Sequence, residues 1–217
     1  MFSKRAHLAL WLLIGLPFTT RASELTITAT DQKSTAVADL VVWLDPLDAA
    51  LPAPAPSGSL SATVEQKDEE FNPYVIAVRT GTHVVFPNRD EVQHHVYSLS
   101  RPAQFEIPLH GGNVHESVVF EQAGLVPIGC NIHDWMLSYI MVVDTPWFGT
   151  TAAEGTASIT GIPPGRYRLT AWHPRMRTNV EQEVTITAED PAPVALELRL
   201  RPDRRIRRAP GAGGKGY

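Results

Sequence analysis

Cys130 is the only cysteine in the 217 residues. It stands in the stretch 129–136, G-C-N-I-H-D-W-M, with His133 three residues on and Met136 three further. A thiolate, an imidazole and a thioether at this spacing are soft and borderline donors, a mix that suits copper better than any hard cation. A trigonal site with a long axial methionine needs a second histidine. The segment 90–98, D-E-V-Q-H-H-V-Y-S, offers His94 and His95. On a strand these point to opposite faces, and His94 shares the face of the apolar Val96. His94 is therefore the expected ligand, with His95 the other candidate. If His95 lies on the far side, it is either exposed or hydrogen-bonded to the ligand loop as a support. The residues thus predict one copper ion held by His94, Cys130, His133 and Met136. Such a set serves Cu(I) and Cu(II) with little rearrangement, which suits one-electron transfer.

Other chemistries fit less well. A nucleophilic pair of Cys130 and His133 is one alternative. Neighbours on one tight loop seldom act that way, and no orienting acid or glycine-rich oxyanion segment accompanies them. His110 and His115, on the loop expected at 109–116, read as solvated histidines rather than a second metal site. His83 and His173 read as structural. Trp135 either covers the site, packs, or offers an apolar docking face.

The N-terminus sets the compartment. Lys4 and Arg5 precede an apolar run at 8–16, Pro17 breaks it, and small residues follow near 20–22. Residues 1–22 read as a cleaved secretory signal peptide, too short for a spanning helix, so no membrane span is expected after processing. A lone cysteine in an exported chain cannot close an internal disulfide, and metal ligation protects its thiolate. Residues 23–200 hold 22 Asp/Glu against 10 Lys/Arg, a formal charge of −12. That balance argues against nucleic-acid binding and allows steering toward a basic partner. Residues 201–217 are basic and glycine-rich and read as a disordered tail.

Short β-branched runs, frequent Pro and Gly, and little helical periodicity predict an all-β chain. Strands are expected at 25–29 and at 38–44, the latter buried on both faces. The proline-rich stretch 51–59 reads as an extended loop. From 62 to 144 seven or eight short strands are expected, including 63–66, 75–79, 83–86, 96–99, 116–121, 125–129 and 139–143, with 102–108 irregular. That is enough for one Greek-key sandwich. Residues 145–149 read as an exit, and strands are expected again at 156–160, 166–172, 180–186 and 194–200.

Two resemblances sharpen this reading. The segment N-R-D-E-V-Q-H-H-V at 88–96, the C-x2-H-x2-M loop at 130–136 and the strand Y-I-M-V-V at 139–143 resemble the cupredoxins, with the short ligand loop of amicyanin-type proteins. The resemblance covers about 62–144. It implies a Greek-key β-sandwich, one type 1 (blue) copper with His94, Cys130 and His133 equatorial and Met136 axial, and periplasmic electron transfer. His95 departs from the Asn or Thr usual after the first ligand. The flanks, D-Q-K-S-T-A-V-A-D-L-V-V-W-L at 31–44 and A-S-I-T-G-I-P-P-G-R-Y-R-L-T-A-W-H-P at 157–174, resemble the two halves of a carboxypeptidase regulatory-like (transthyretin-type, Ig-like) β-sandwich. The whole resembles methylamine-utilisation-like exported proteins.

The expected organisation is a leader at 1–22, an N-terminal β segment and loop at 23–60, a copper domain at 62–144, a second β unit at 147–200 and the tail at 201–217. The copper domain is expected to be inserted in the second sandwich, 23–44 pairing against 156–200. The expected role is a carrier, not an enzyme, exchanging electrons with a redox protein such as a c-type cytochrome or a periplasmic oxidoreductase. Copper delivery without redox traffic, and a structural β-protein with a vestigial site, are the alternatives.

Overall fold

The computed structural model describes residues 23–112, 116–187, 189 and 191–205. The leader, His115 and residues 206–217 of the tail lie outside them. All regular elements among the described residues are strands. In chain order these are β1 (Ser23–Asp31), β2 (Val41–Pro46), β3 (Leu60–Thr63), β4 (Glu65–Lys67), β5 (Glu70–Asn72), β6 (Val75–Arg79), β7 (Thr82–Val85), β8 (His94–Ser100) and β9 (Ala103–His110). They continue with β10 (Ser117–Phe120), β11 (Gly124–Gly129), β12 (Leu137–Val143), β13 (Phe148–Thr150), β14 (Thr156–Ile162), β15 (Gly165–Trp172), β16 (Val180–Ile186) and β17 (Val194–Leu198).

Two cores organise these strands. The sheets β14-β1-β17 and β13-β2-β15-β16 share a cluster that includes Leu25, Ile27, Leu44, Ile159 and Leu169. The sheets β10-β7-β3 and β6-β12-β11-β8-β9 share another, including Phe86, Val96, Phe120, Ile128 and Ile140, with Cys130 and Met136 at its margin. The hairpin β4-β5 is a two-stranded sheet of its own, bridged at Gln66 to Asn88 and seating Phe71 in the second core. β2 pairs with β13 and β15, not with the sheet that ends at Cys130. β1 pairs antiparallel with β14 and parallel with β17.

β12 is buried on both faces. Ser138, Ile140 and Val142 turn toward one side, and Ile140 and Val142 enter the core that holds Cys130. Tyr139, Met141 and Val143 turn the other way and pack with Val41, Trp43 and Trp172 of the neighbouring sheet. The period of two along a strand makes this possible. β2 does the same, Val42 and Leu44 entering one core and Val41 and Trp43 the contact between the two.

Several local expectations need correction. Residues 102–108, expected to be irregular, lie largely in the eight-residue strand β9, because Phe105 and Ile107 alternate inward and pair with Ser98 and Val96 of β8. His110, expected on a solvated loop, ends that strand and is 5% exposed. The run 63–66 is split at the buried Val64, whose N–H donates to Val85 O at 3.0 Å, so β3 and β4 join different partners. The exit at 145–149 runs into the edge strand β13 on β2.

Ile140 is fully buried behind the Cys130 loop. Ile140→Ala should cost about 2–5 kcal/mol. The denaturant midpoint should fall with an unchanged slope, since the same surface is exposed on unfolding.

Candidate metal centre

The loop before β8 is shaped by Asn88, which is buried. Its Nδ2 donates to Val92 O at 2.8 Å and His110 O at 3.0 Å, and its Oδ1 accepts from Asp90 N at 2.8 Å. This side-chain turn sets Asp90 beside the ring of His94. His94 is fully buried, and its Nε2 lies 2.7 Å from Asp90 Oδ2. An ionised carboxylate only accepts, so Nε2 carries a proton toward Asp90 and Nδ1 is the nitrogen turned to the site, where it donates to the Cys130 sulfur while protonated and offers a lone pair once that proton is lost.

Cys130 follows β11 directly and is 5% exposed. The chain can approach β8 here because residue 129 is glycine. A Cβ on Gly129 would sit 3.1 Å from the Tyr97 ring. The loop then turns, Met136 N donating to His133 O at 2.9 Å. His133 is thereby carried over Cys130, with Nδ1 3.9 Å from Sγ and 3.1 Å from His94 Nδ1. One donor atom each of His94, Cys130 and His133 lies within 4.8 Å of the others. Met136, 2% exposed, belongs to the same core cluster as Cys130, and β12 begins at the next residue.

The other histidines are elsewhere. His95 turns away as the alternation requires, its Nε2 2.9 Å from Glu106 Oε1. Its backbone N–H, not its ring, supports the Cys130 sulfur. His110 has its Nε2 3.2 Å from Gln66 Nε2 and its Nδ1 3.0 Å from Pro108 O. His173 accepts from Arg175 N at 3.1 Å, and burial with the nearby Arg175 lowers its pKa to about 4, so it is neutral and structural.

The electrostatics favour a thiolate. Burial pushes the Cys130 thiol up. Hydrogen bonding from the His94 ring and from the backbone N–H groups of His95, Ile132 and His133 outweighs it, bringing the pKa down to about 6. Burial pulls His94 down, yet Cys130 and Asp90 raise it above its ordinary value. Burial also opposes ionisation of Asp90, but N–H donation from Glu69, His94 and Asp68 lowers it.

Copper fits these residues by the chemistry of its donors. One sulfur and two imidazole nitrogens converge in a buried pocket, and the neighbouring carboxylates reach the outer Nε2 atoms instead of the donor cluster. His94, Cys130 and His133 would hold the ion, and it would supply a one-electron redox couple.

No pattern in the sequence assigns a role to Asn88, Asp90 or Glu69. Glu69 lies in the turn of the β4-β5 hairpin, its O accepting from Trp135 Nε1 at 3.1 Å and its Oε2 3.9 Å from His133 Nε2. Asp90 stood four residues before His94 in the segment already singled out. A loop has no period to flag it, and Glu69 carries no local signal at all.

No family model and no curated protein matches the chain. Among solved structures it is similar to a copper-containing nitrite reductase from Thermus scotoductus SA-01, at 25% identity over 46% of this chain and a TM-score of 0.36. The match spans only 25% of the reductase. It is also similar to a purple cupredoxin from Nitrosopumilus maritimus, at 21% identity over 38% of this chain and 99% of that one, with a TM-score of 0.34. A reduced amicyanin variant is 20% identical over 43% of this chain and 97% of its own, with a TM-score of 0.37.

The lowered thiol gives a direct test in the metal-free protein. Ultraviolet thiolate absorbance should titrate near pH 6 and vanish in Cys130→Ser. A depressed pKa stabilises the fold fully above the ordinary cysteine value of about 8.5. That contribution is lost as the pH falls through about 6. The stability advantage over Cys130→Ser should therefore shrink on acidification across this window.

Proposed function

We propose that this chain is an exported mononuclear type 1 copper protein of the cupredoxin kind, which carries single electrons between redox proteins. The observation that carries this reading is the convergence of His94 Nδ1, His133 Nδ1 and Cys130 Sγ, with Nδ1 of His94 turned inward because Asp90 holds Nε2. Met136, in the core cluster that holds Cys130, would supply a weak fourth thioether ligand. The thiolate and imidazoles suit both copper oxidation states, and a rigid loop between two strands limits rearrangement between them.

His133 supplies the route for electrons. His94 and Cys130 are buried, whereas the His133 side chain is 15% exposed. Ile132 and Leu137, at either end of the same short loop, are exposed and apolar. A partner docking there reaches the ligand ring without water between them. The acidic body favours a basic redox partner, such as a c-type cytochrome or a periplasmic oxidoreductase. Residues 62–144 are read as the copper domain, set within a β-sandwich built from 23–60 and 147–200. Export rests on the leader at 1–22. Among the described residues no helix is long and apolar enough to cross a membrane.

The test is the visible and EPR spectrum of the Cu(II)-loaded protein beside Cys130→Ser. The expected result is an intense thiolate-to-copper band with narrow parallel hyperfine splitting, both lost in the variant. A weak band with ordinary tetragonal EPR, unchanged in the variant, would refute the type 1 assignment.

A further inference from the structure

The outer nitrogens of both candidate imidazole ligands face carboxylates. His94 Nε2 lies 2.7 Å from Asp90 Oδ2, and His133 Nε2 lies 3.9 Å from Glu69 Oε2. The two acids belong to one device. Asp68 and Glu69 form the β4-β5 turn with φ of 57° at each, the left-handed pair of a type I′ turn that ordinarily selects Asn and Gly. Asp68 tolerates that conformation, but Glu69, at the position that favours glycine, does not adopt it readily. Both backbone N–H groups instead donate to Asp90, Asp68 N to Oδ1 at 2.6 Å and Glu69 N to Oδ2 at 3.0 Å. One carboxylate thus holds the turn and the His94 ring together, and the turn holds Glu69 against His133. Trp135, between the ligand-loop residues, ties the same turn through its bond to Glu69 O.

We propose that Asp90 and the Asp68–Glu69 turn form a carboxylate clasp that positions both imidazole ligands from behind and biases the centre toward Cu(II). The proposal rests on the copper reading above. A carboxylate bonded to the outer N–H fixes the ring's tautomer and orientation and makes the imidazole a more basic ligand. Two nearby negative charges stabilise the more highly charged ion further. Asp90 and Glu69 are positioning residues and touch no metal.

The experiment compares the copper-loaded full chain with Asp90→Asn and Glu69→Gln by redox titration. Asp90→Asn should weaken Cu(II) relative to Cu(I) by about tenfold or more, which for a one-electron couple raises the potential by about 59 mV per tenfold. Glu69→Gln should raise it less, since its carboxylate is farther from the ring. A second measurement needs no metal. In metal-free Asp90→Ala the amide protons of Asp68 and Glu69 should exchange about tenfold faster or more, because their shared acceptor is gone. Unchanged potentials in both copper-loaded variants, with the thiolate band intact, would overturn the bias toward Cu(II). Unchanged exchange at both amides would overturn the clasp itself. Absence of the band from the unmodified protein would instead sink the copper reading, and amide exchange would still decide whether the clasp exists.

Discussion

A sulfur and two imidazole nitrogens held within 4.8 Å of one another are a concentration of lone pairs with no intrinsic reason to stay together. Three local devices hold them in place. The Asn88 side chain closes the loop that presents Asp90 and His94. The absence of a Cβ at Gly129 lets β11 run against Tyr97 and deliver Cys130. The His133-to-Met136 turn folds the ligand loop back before β12 begins. In the metal-free chain the cluster is eased by a shared proton economy, the thiol lowered and the neighbouring imidazole raised. A metal ion would replace those protons, so binding is coupled to their release.

Behind the loop, rigidity comes from β12. Its alternate side chains enter two different cores, so the strand that follows Met136 has no solvent face along most of its length. Moving the ligand loop would require repacking Ile140 on one side and Met141 on the other. Buried aliphatic side chains of this size contribute about 1.5–3 kcal/mol each. The sheet that begins with β2 therefore buttresses the candidate centre without contributing a ligand, which gives the outer strands a physical purpose independent of any partner.

Much of this was legible in the sequence where a period of two reports burial. The strand at 180–186 follows from alternation, the strand at 75–79 from a short β-branched run before a turn, and the two-faced burial at 41–44 from an unbroken apolar run. The choice of His94 over His95 for the inner face also follows from alternation, because adjacent residues on β8 must diverge. Cys130, His133 and Met136 were visible as a spaced set of donors. What could not be read was anything set by long-range loop contact. Pro102 and Pro108 masked β9, whose inward Phe105 and Ile107 find partners only across the sheet. His110 looked like a loop residue because Gln66, which faces its ring, is 44 positions away. Asp90 and Glu69 were invisible for the same reason. Their roles depend on a hairpin turn meeting a loop, and neither segment carries a pattern that names the other.

The proposed function requires one sulfur and two imidazoles to converge on a single copper ion. The most direct test is extended X-ray absorption fine structure at the copper edge of the loaded protein. One short copper–sulfur shell and two nitrogen scatterers with imidazole multiple scattering are expected, the sulfur shell disappearing in Cys130→Ser. A shell of nitrogen and oxygen scatterers alone, the same with and without Cys130, would contradict it.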